Sequence, residues 1–205
     1  MNIVLASASP RRKEILQNLG LDFTCLSPDT DEQPDLITAD RVVKELSLRK
    51  AQAAEKVLQA EGADLTDTLI IAADTAVVCD LAILGKPRSV KQATEMLQRL
   101  SGRTHFVTTG VTLLYHGQTV TENELTKLRF AKLTKEQIDG YVATKEPMDK
   151  AGSYGIQGMA SSFIEGIEGD YFNVVGFPVF RFCQMLLPLG LHYVAGKGIL
   201  PLASQ

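Results

Sequence analysis

The chain has 205 residues, 45% of them hydrophobic and 22% charged, the balance of an ordinary folded protein with length for one sizeable core and one or two domains. Its formal net charge of -3 argues against broad nucleic-acid binding, which needs a basic face, but leaves room for a local cationic pocket. Cys25, Cys79 and Cys183 are odd in number and widely spaced, which excludes a disulfide framework or a CxxC zinc site and predicts plain thiols in a reducing compartment.

The first apolar run, residues 3–6, is too short for a signal peptide, and positive charge follows it instead of preceding it. Residues 2–6 read as a buried strand. Residues 10–20 read as a helix with Ser9 at the N-cap, Pro10 in the first turn and Gly20 as the stop. A short strand is expected in 22–28, then an acidic loop over 28–38. Residues 39–62 read as a long helix ending near Gly62. Residues 68–80 are an apolar strand region interrupted by Asp74 and too short to span a bilayer. The expectation is a cytoplasmic protein with no membrane segment.

Gly85-Lys86-Pro87 reads as a turn or extended piece, and Ser89 as the cap of a helix over 90–102. Residues 104–115 and 118–130 are rich in β-branched residues and flank His116-Gly117, which predicts a long antiparallel hairpin. A short helix is expected in 134–147. Residues 161–177 read as a second hairpin turning at Gly169-Asp170, and 178–190 as a closing helix opened by Pro178. The tail, 195–205, carries no readable signal and is expected to be loosely ordered. The other histidines, His105 and His192, are expected at the surface or partly buried. Helices alternate with strands early and hairpins come later, so the fold class is α/β with a mixed sheet and flanking helices. One domain over 1–205 is the simplest organisation, with two lobes and a cleft between them allowed.

Four places carry residues that structure alone does not ask for. Arg11 and Arg12 follow Ser7-Ala8-Ser9-Pro10 in the first turn of a helix, whose positive end prefers acids. An anion there reverses the penalty, because helix end and arginines then act together. Lys50 falls on the apolar stripe of Val43, Leu46, Ala54 and Val57, so its ammonium must snorkel or meet an anion. Asp74 is a carboxylate among aliphatics, costly unless paired or bound. The segment 146–158 has Gly152, Gly155 and Gly158 for close approach to a ligand, and Gln157, whose donor and acceptor suit a nucleobase edge. With Lys86 and the acidic pair Asp31 and Glu32, these would make a polyphosphate site with carboxylates for a divalent metal and a water. No GxxxxGK[ST], GxGxxG or GxSxG motif competes.

These segments in this order resemble the Maf family of nucleoside triphosphate pyrophosphatases. The likeness lies in LASASPRR at 5–12, DE at 31–32, RKA at 49–51, AADT at 72–75, GKP at 85–87, LSGRTH at 100–105, EPMDKAGSYGIQG at 146–158 and NVVGFP at 173–178. The resemblance implies an elongated mixed α/β fold like that of inosine triphosphate pyrophosphatases. It implies hydrolysis between the α and β phosphates with a divalent cation, magnesium or manganese. It implies Asp74 as proton acceptor, with Lys50 and Lys86 beside it in the catalytic set. Ser7, Ser9 and Arg12 fall to phosphate, and Glu32 with Asp74 to metal. Arg11, Thr75 and Gln157 match the dTTP/UTP branch, whereas the methylated-GTP branch tends to carry Trp at the position of Arg11. Ala76 departs from the β-branched residue commoner there. A homodimer is expected at family level, with a nucleoside triphosphate substrate and no nucleic-acid or membrane partner. The alternatives are a purine-directed pyrophosphatase and a nucleotide-binding regulator of cell division that needs no turnover.

Overall fold

A computed structural model describes residues 1–30 and 38–202. In chain order the elements are β1 (Asn2–Ala6), α1 (Pro10–Asn18), β2 (Thr24–Cys25), α2 (Ala39–Ala60), β3 (Thr68–Cys79), β4 (Ala82–Leu84) and α3 (Val90–Leu100). There follow β5 (Thr104–Tyr115), β6 (Gln118–Phe130), α4 (Lys135–Ala143), β7 (Ile164–Glu168), α5 (Tyr171–Val175), α6 (Val179–Leu186), β8 (Leu191–Val194) and β9 (Gly198–Pro201). Parallel and antiparallel pairs both occur, so the sheet is mixed, as the order of elements predicts. The chain divides into two compact units, and it passes from one to the other inside β3, inside β5, inside β6 and after α5.

The first unit holds Met1–Asp74, Thr109–Glu124 and Gly176–Gln205. Its β1 lies parallel to both β2 and β3, with Val4 opposite Thr24 and Ala6 opposite Ala72. Parallel neighbours need crossovers, and α1 and α2 supply them. Val4, Ala6, Ile70, Ala72 and Leu114 meet Ala51 and Ala54 of α2 in one buried cluster. The alanines let the helix come close. So does Gly110, where a Cβ would overlap the backbone of Val43. α1 stops as predicted: Gly20 has φ +70°, and the N–H groups of Gly20 and Leu21 donate to Gln17 and Leu16 carbonyls at 2.8 and 3.2 Å.

The second unit holds Thr75–Thr108 and Leu125–Val175. β3 turns into the short β4, with Val77 opposite Leu84. The sequence reading missed that strand. Its two-residue turn, Asp80-Leu81, has positive φ at both positions without a glycine, which hides it from a residue-type scan. Ser89 caps α3 as expected, accepting from the Gln92 N–H at 3.2 Å, and Ala93, Met96, Leu97 and Leu100 form the buried stripe. α4 opens on a capping box between Thr134 and Gln137. The core is aromatic: Phe130 contacts His105, Tyr154 and Phe163 edge-on, and Tyr141 meets Phe163.

Three expectations fail. Residues 161–177 are not a hairpin: β7 pairs with β6, but Tyr171–Val175 is helical. The Asp170 carboxylate accepts from the Phe172 N–H at 2.7 Å, starting the helix where a return strand was expected. The tail is not loose through residue 202, because β8 and β9 pair, Leu191 opposite Pro201, with Leu191 and Ile199 buried. His105 is fully buried and not at the surface.

Candidate active site

In the first unit, β1 ends at Ala6 and the chain turns into α1 through Ser7-Ala8-Ser9. The Ser7 hydroxyl accepts from the Ser9 N–H and from Arg12 Nη1, both at 3.2 Å. Arg12 is buried, and its Nε donates to the Gly176 carbonyl at 2.8 Å. The guanidinium is thus fixed beside the first turn of α1. That turn holds no acid, and the Ser9 side chain makes no capping bond. Ser9 occupies the N-cap position but does not cap with its hydroxyl, and its own N–H donates to Ser7. The cationic helix end expected from the sequence is therefore built with Ser7 and Arg12 as one unit. Arg11 is half-buried beside it.

α2 carries Lys50 to the edge of the buried cluster, and β3 carries Asp74. Lys50 Nζ donates to Asp74 Oδ1 at 2.6 Å, and each side chain is 16% exposed. The sequence predicts that Lys50 must snorkel or meet an anion, and that Asp74 must be paired or bound. They solve the problem together. Glu32, with Asp31, lies outside the described residues, so the geometry says nothing of its place.

In the second unit, Thr75 follows Asp74 on β3 and is half-buried. Lys86 is exposed, between Gly85 and a buried Pro87. The Gly85 carbonyl accepts from the Gly152 N–H at 3.1 Å, so the segment before Lys86 is joined to the glycine-rich segment that carries Gln157. Gly152 is required there: its φ is +67°, and a Cβ would sit 2.9 Å from Val77 Cγ1. Gln157 is exposed.

Two anchors escaped the sequence reading. Asn173 is fully buried and donates through Nδ2 to the Val107 carbonyl at 3.0 Å and to Thr126 Oγ1 at 2.9 Å. Its signal was a lone amide in the apolar run before Gly176. Glu146 accepts from the Tyr141 hydroxyl at 3.1 Å and the Met159 N–H at 3.2 Å. It sits in the glycine-rich segment, but nothing local marks its carboxylate as inward.

Among the described residues no group of three or more His, Cys, Asp or Glu side chains could hold a metal. That excludes a preformed protein cage there, not a hard divalent ion. Magnesium takes one or two carboxylates and fills its shell with waters and substrate phosphates. A partly exposed carboxylate at Asp74 fits that way of binding.

Comparison with known proteins agrees with the motif pattern. The family model for Maf-like proteins matches residues 2–189. A dTTP/UTP pyrophosphatase of Symbiobacterium thermophilum is 46% identical over 197 residues, covering 95% of this chain and 97% of its own. A dTTP/UTP pyrophosphatase of Bacillus cereus (strain AH820) is 45% identical over 185 residues, covering 90% of this chain and 93% of its own. The solved structure of the Staphylococcus aureus Ham1 protein is 16% identical with a TM-score of 0.44, covering 71% of this chain and 98% of that one. That likeness is slight, and the fold stands on its own strands and helices. With the motifs spread along the whole match and near half of the residues shared with full-length relatives, the chain belongs to the Maf family.

Proposed function

We propose that this protein hydrolyses dTTP and UTP to the nucleoside monophosphate and pyrophosphate, clearing them from the nucleotide pool. The observation that carries the chemistry is the Lys50–Asp74 pair: a carboxylate held by an ammonium at 2.6 Å at a partly exposed position. Near-half identity to two dTTP/UTP pyrophosphatases over almost the whole chain supports the substrate.

The steps follow from the residues. Arg12, held in place by Gly176 and Ser7, and the uncapped first turn of α1 at Ser9 take the phosphates. Lys50 and Lys86 add positive charge where it develops on the leaving pyrophosphate. Asp74 turns a water toward the α-phosphorus and accepts its proton. The new P–O bond forms in line as the bond to the β-phosphate's bridging oxygen breaks, and pyrophosphate leaves. Asp74, with Glu32, would hold a magnesium or manganese ion. When bound, that ion neutralises phosphate charge and lowers the pKa of its water. Arg11, Thr75 and Gln157 read the pyrimidine.

We assign the whole of 1–205 to this one activity and expect a cytoplasmic homodimer without nucleic-acid or membrane partners. No helix among the described residues is long and apolar enough to cross a membrane. The test is pyrophosphate release from a panel of pyrimidine and purine triphosphates with magnesium or manganese. Release confined to dTTP and UTP is the expected result. A purine preference overturns the roles of Arg11, Thr75 and Gln157. Binding without release favours a nucleotide-sensing regulator.

A further inference from the structure

Gln157 is exposed, and an exposed amide on a mobile backbone discriminates poorly between bases. Its segment is not left to itself. The Glu146 carboxylate accepts from the Tyr141 hydroxyl through Oε1, and the same hydroxyl accepts from the Gly155 N–H at 3.2 Å. Through Oε2 the carboxylate accepts from the Met159 N–H. The Glu146 carbonyl accepts from Lys150 Nζ at 2.7 Å. Glu146 thus ties position 159 directly and position 155 through Tyr141, two residues to either side of Gln157. Gly158 closes over it so tightly that a Cβ would overlap the carboxylate. At Gly155 a Cβ would stand 2.6 Å from Lys150 Cε. Burial and the neighbouring Glu146 push the Tyr141 phenol up, so it keeps its proton and remains a donor.

We propose that Glu146 is the positioning residue for base recognition: its carboxylate, bridging Tyr141 and Met159, fixes the backbone that presents Gln157. The proposal rests on the assignment of Gln157 to the base. It gives Glu146 no contact with phosphate, metal or the attacking water. Breaking the clamp should therefore act on selection and binding and spare the chemical step.

Two substitutions break the clamp from opposite sides. Glu146→Ala removes the carboxylate. Gly158→Ala, at a φ of -100° that any residue adopts, displaces it. Glu146→Gln keeps the shape but brings one acceptor oxygen to two donors, the Tyr141 hydroxyl and the Met159 N–H, so it keeps one of the two bonds. Steady-state kinetics on dTTP and dGTP should show the dTTP preference falling about tenfold in Glu146→Ala and Gly158→Ala, the scale of one lost hydrogen bond. The loss should lie in KM for dTTP, with kcat within about threefold and Glu146→Gln between wild type and Glu146→Ala. The double variant should lose no more than either single one, since both act on one clamp.

Gln157→Ala is the control for the underlying reading. If it leaves the preference unchanged, base recognition by Gln157 is wrong and the proposal falls with it. If it changes the preference while Gly158→Ala and Glu146→Ala do not, the base assignment stands and the role of Glu146 is overturned. An equal fall in kcat for both nucleotides also overturns it. Should Glu146→Ala fail to fold, Gly158→Ala against Gln157→Ala decides.

Discussion

Lys50 Nζ lies 2.6 Å from Asp74 Oδ1, and the two side chains are equally shielded from water, at 16% exposed. One comes from a helix and the other from a strand, 24 residues apart. A hydrogen bond to a charged group at such a place contributes about 1.5–3 kcal/mol. A double-mutant cycle of Lys50→Met and Asp74→Asn in urea should return a coupling of that size. Additive losses in stability would show that the pair is not coupled in the folded protein.

Arg12 serves the fold before it serves any phosphate. Its Nε holds Gly176 and its Nη1 holds Ser7. A lysine has one nitrogen and cannot reproduce the fork. Arg12→Lys should lower stability by about 1–2 kcal/mol, or a melting temperature by about 2–8 °C. A variant that melts like the wild type would mean these bonds are not formed in solution.

His105 should make the protein acid-sensitive. It is fully buried among Phe130 and Tyr154, its Nε2 lies 2.7 Å from the Tyr154 hydroxyl, and its buried Nδ1 has no hydrogen-bond partner among the described residues. Burial pushes its pKa down from 6.5 to about 4. The unfolded chain therefore takes up the proton first as the pH falls. The stability from neutral His105 is fully present above pH 6.5 and is lost progressively down to about pH 4, about 3 kcal/mol in all. Urea melts across this window should show a slope that His105→Phe flattens. An unchanged slope would place the acid sensitivity elsewhere.

Gly110 marks a close approach of β5 to the backbone of α2. The obstacle is main chain, which cannot swing aside. Gly110→Ala should cost about 1–3 kcal/mol or more, although alanine suits a strand better than glycine. A neutral thermal melt would contradict that packing.

What the sequence reveals follows from how local each signal is. Gly20, Ser89 and the His116-Gly117 turn act within a few residues, and their elements form where expected. Lys50 and Asp74 are legible because each breaks an apolar pattern, although only the fold shows that they answer each other. The β4 strand was hidden by Asp80 and Leu81, which adopt positive φ without being glycine. Tyr171–Val175 was misread because aromatic and β-branched residues suit a strand, while the cap at Asp170 and its backbone bonds to Thr126 decide for a helix. The sequence shows Arg12 as charge alone; its bond to Gly176 spans 164 residues and has no local trace. His105 gave no pattern to read, since its partners arrive from 25 and 49 residues away.

The central claim is that Asp74 performs the chemistry on a pyrimidine triphosphate, and one comparison tests it most directly. Pyrophosphate release from dTTP should be measured for the wild type and for Asp74→Asn, with dTTP binding and thermal melting followed on both. The account predicts a variant that folds and binds nucleotide but turns over about 10²–10⁴-fold more slowly, the scale of a lost general base. Release at the wild-type rate would contradict it, because the carboxylate beside Lys50 would then play no part in the reaction.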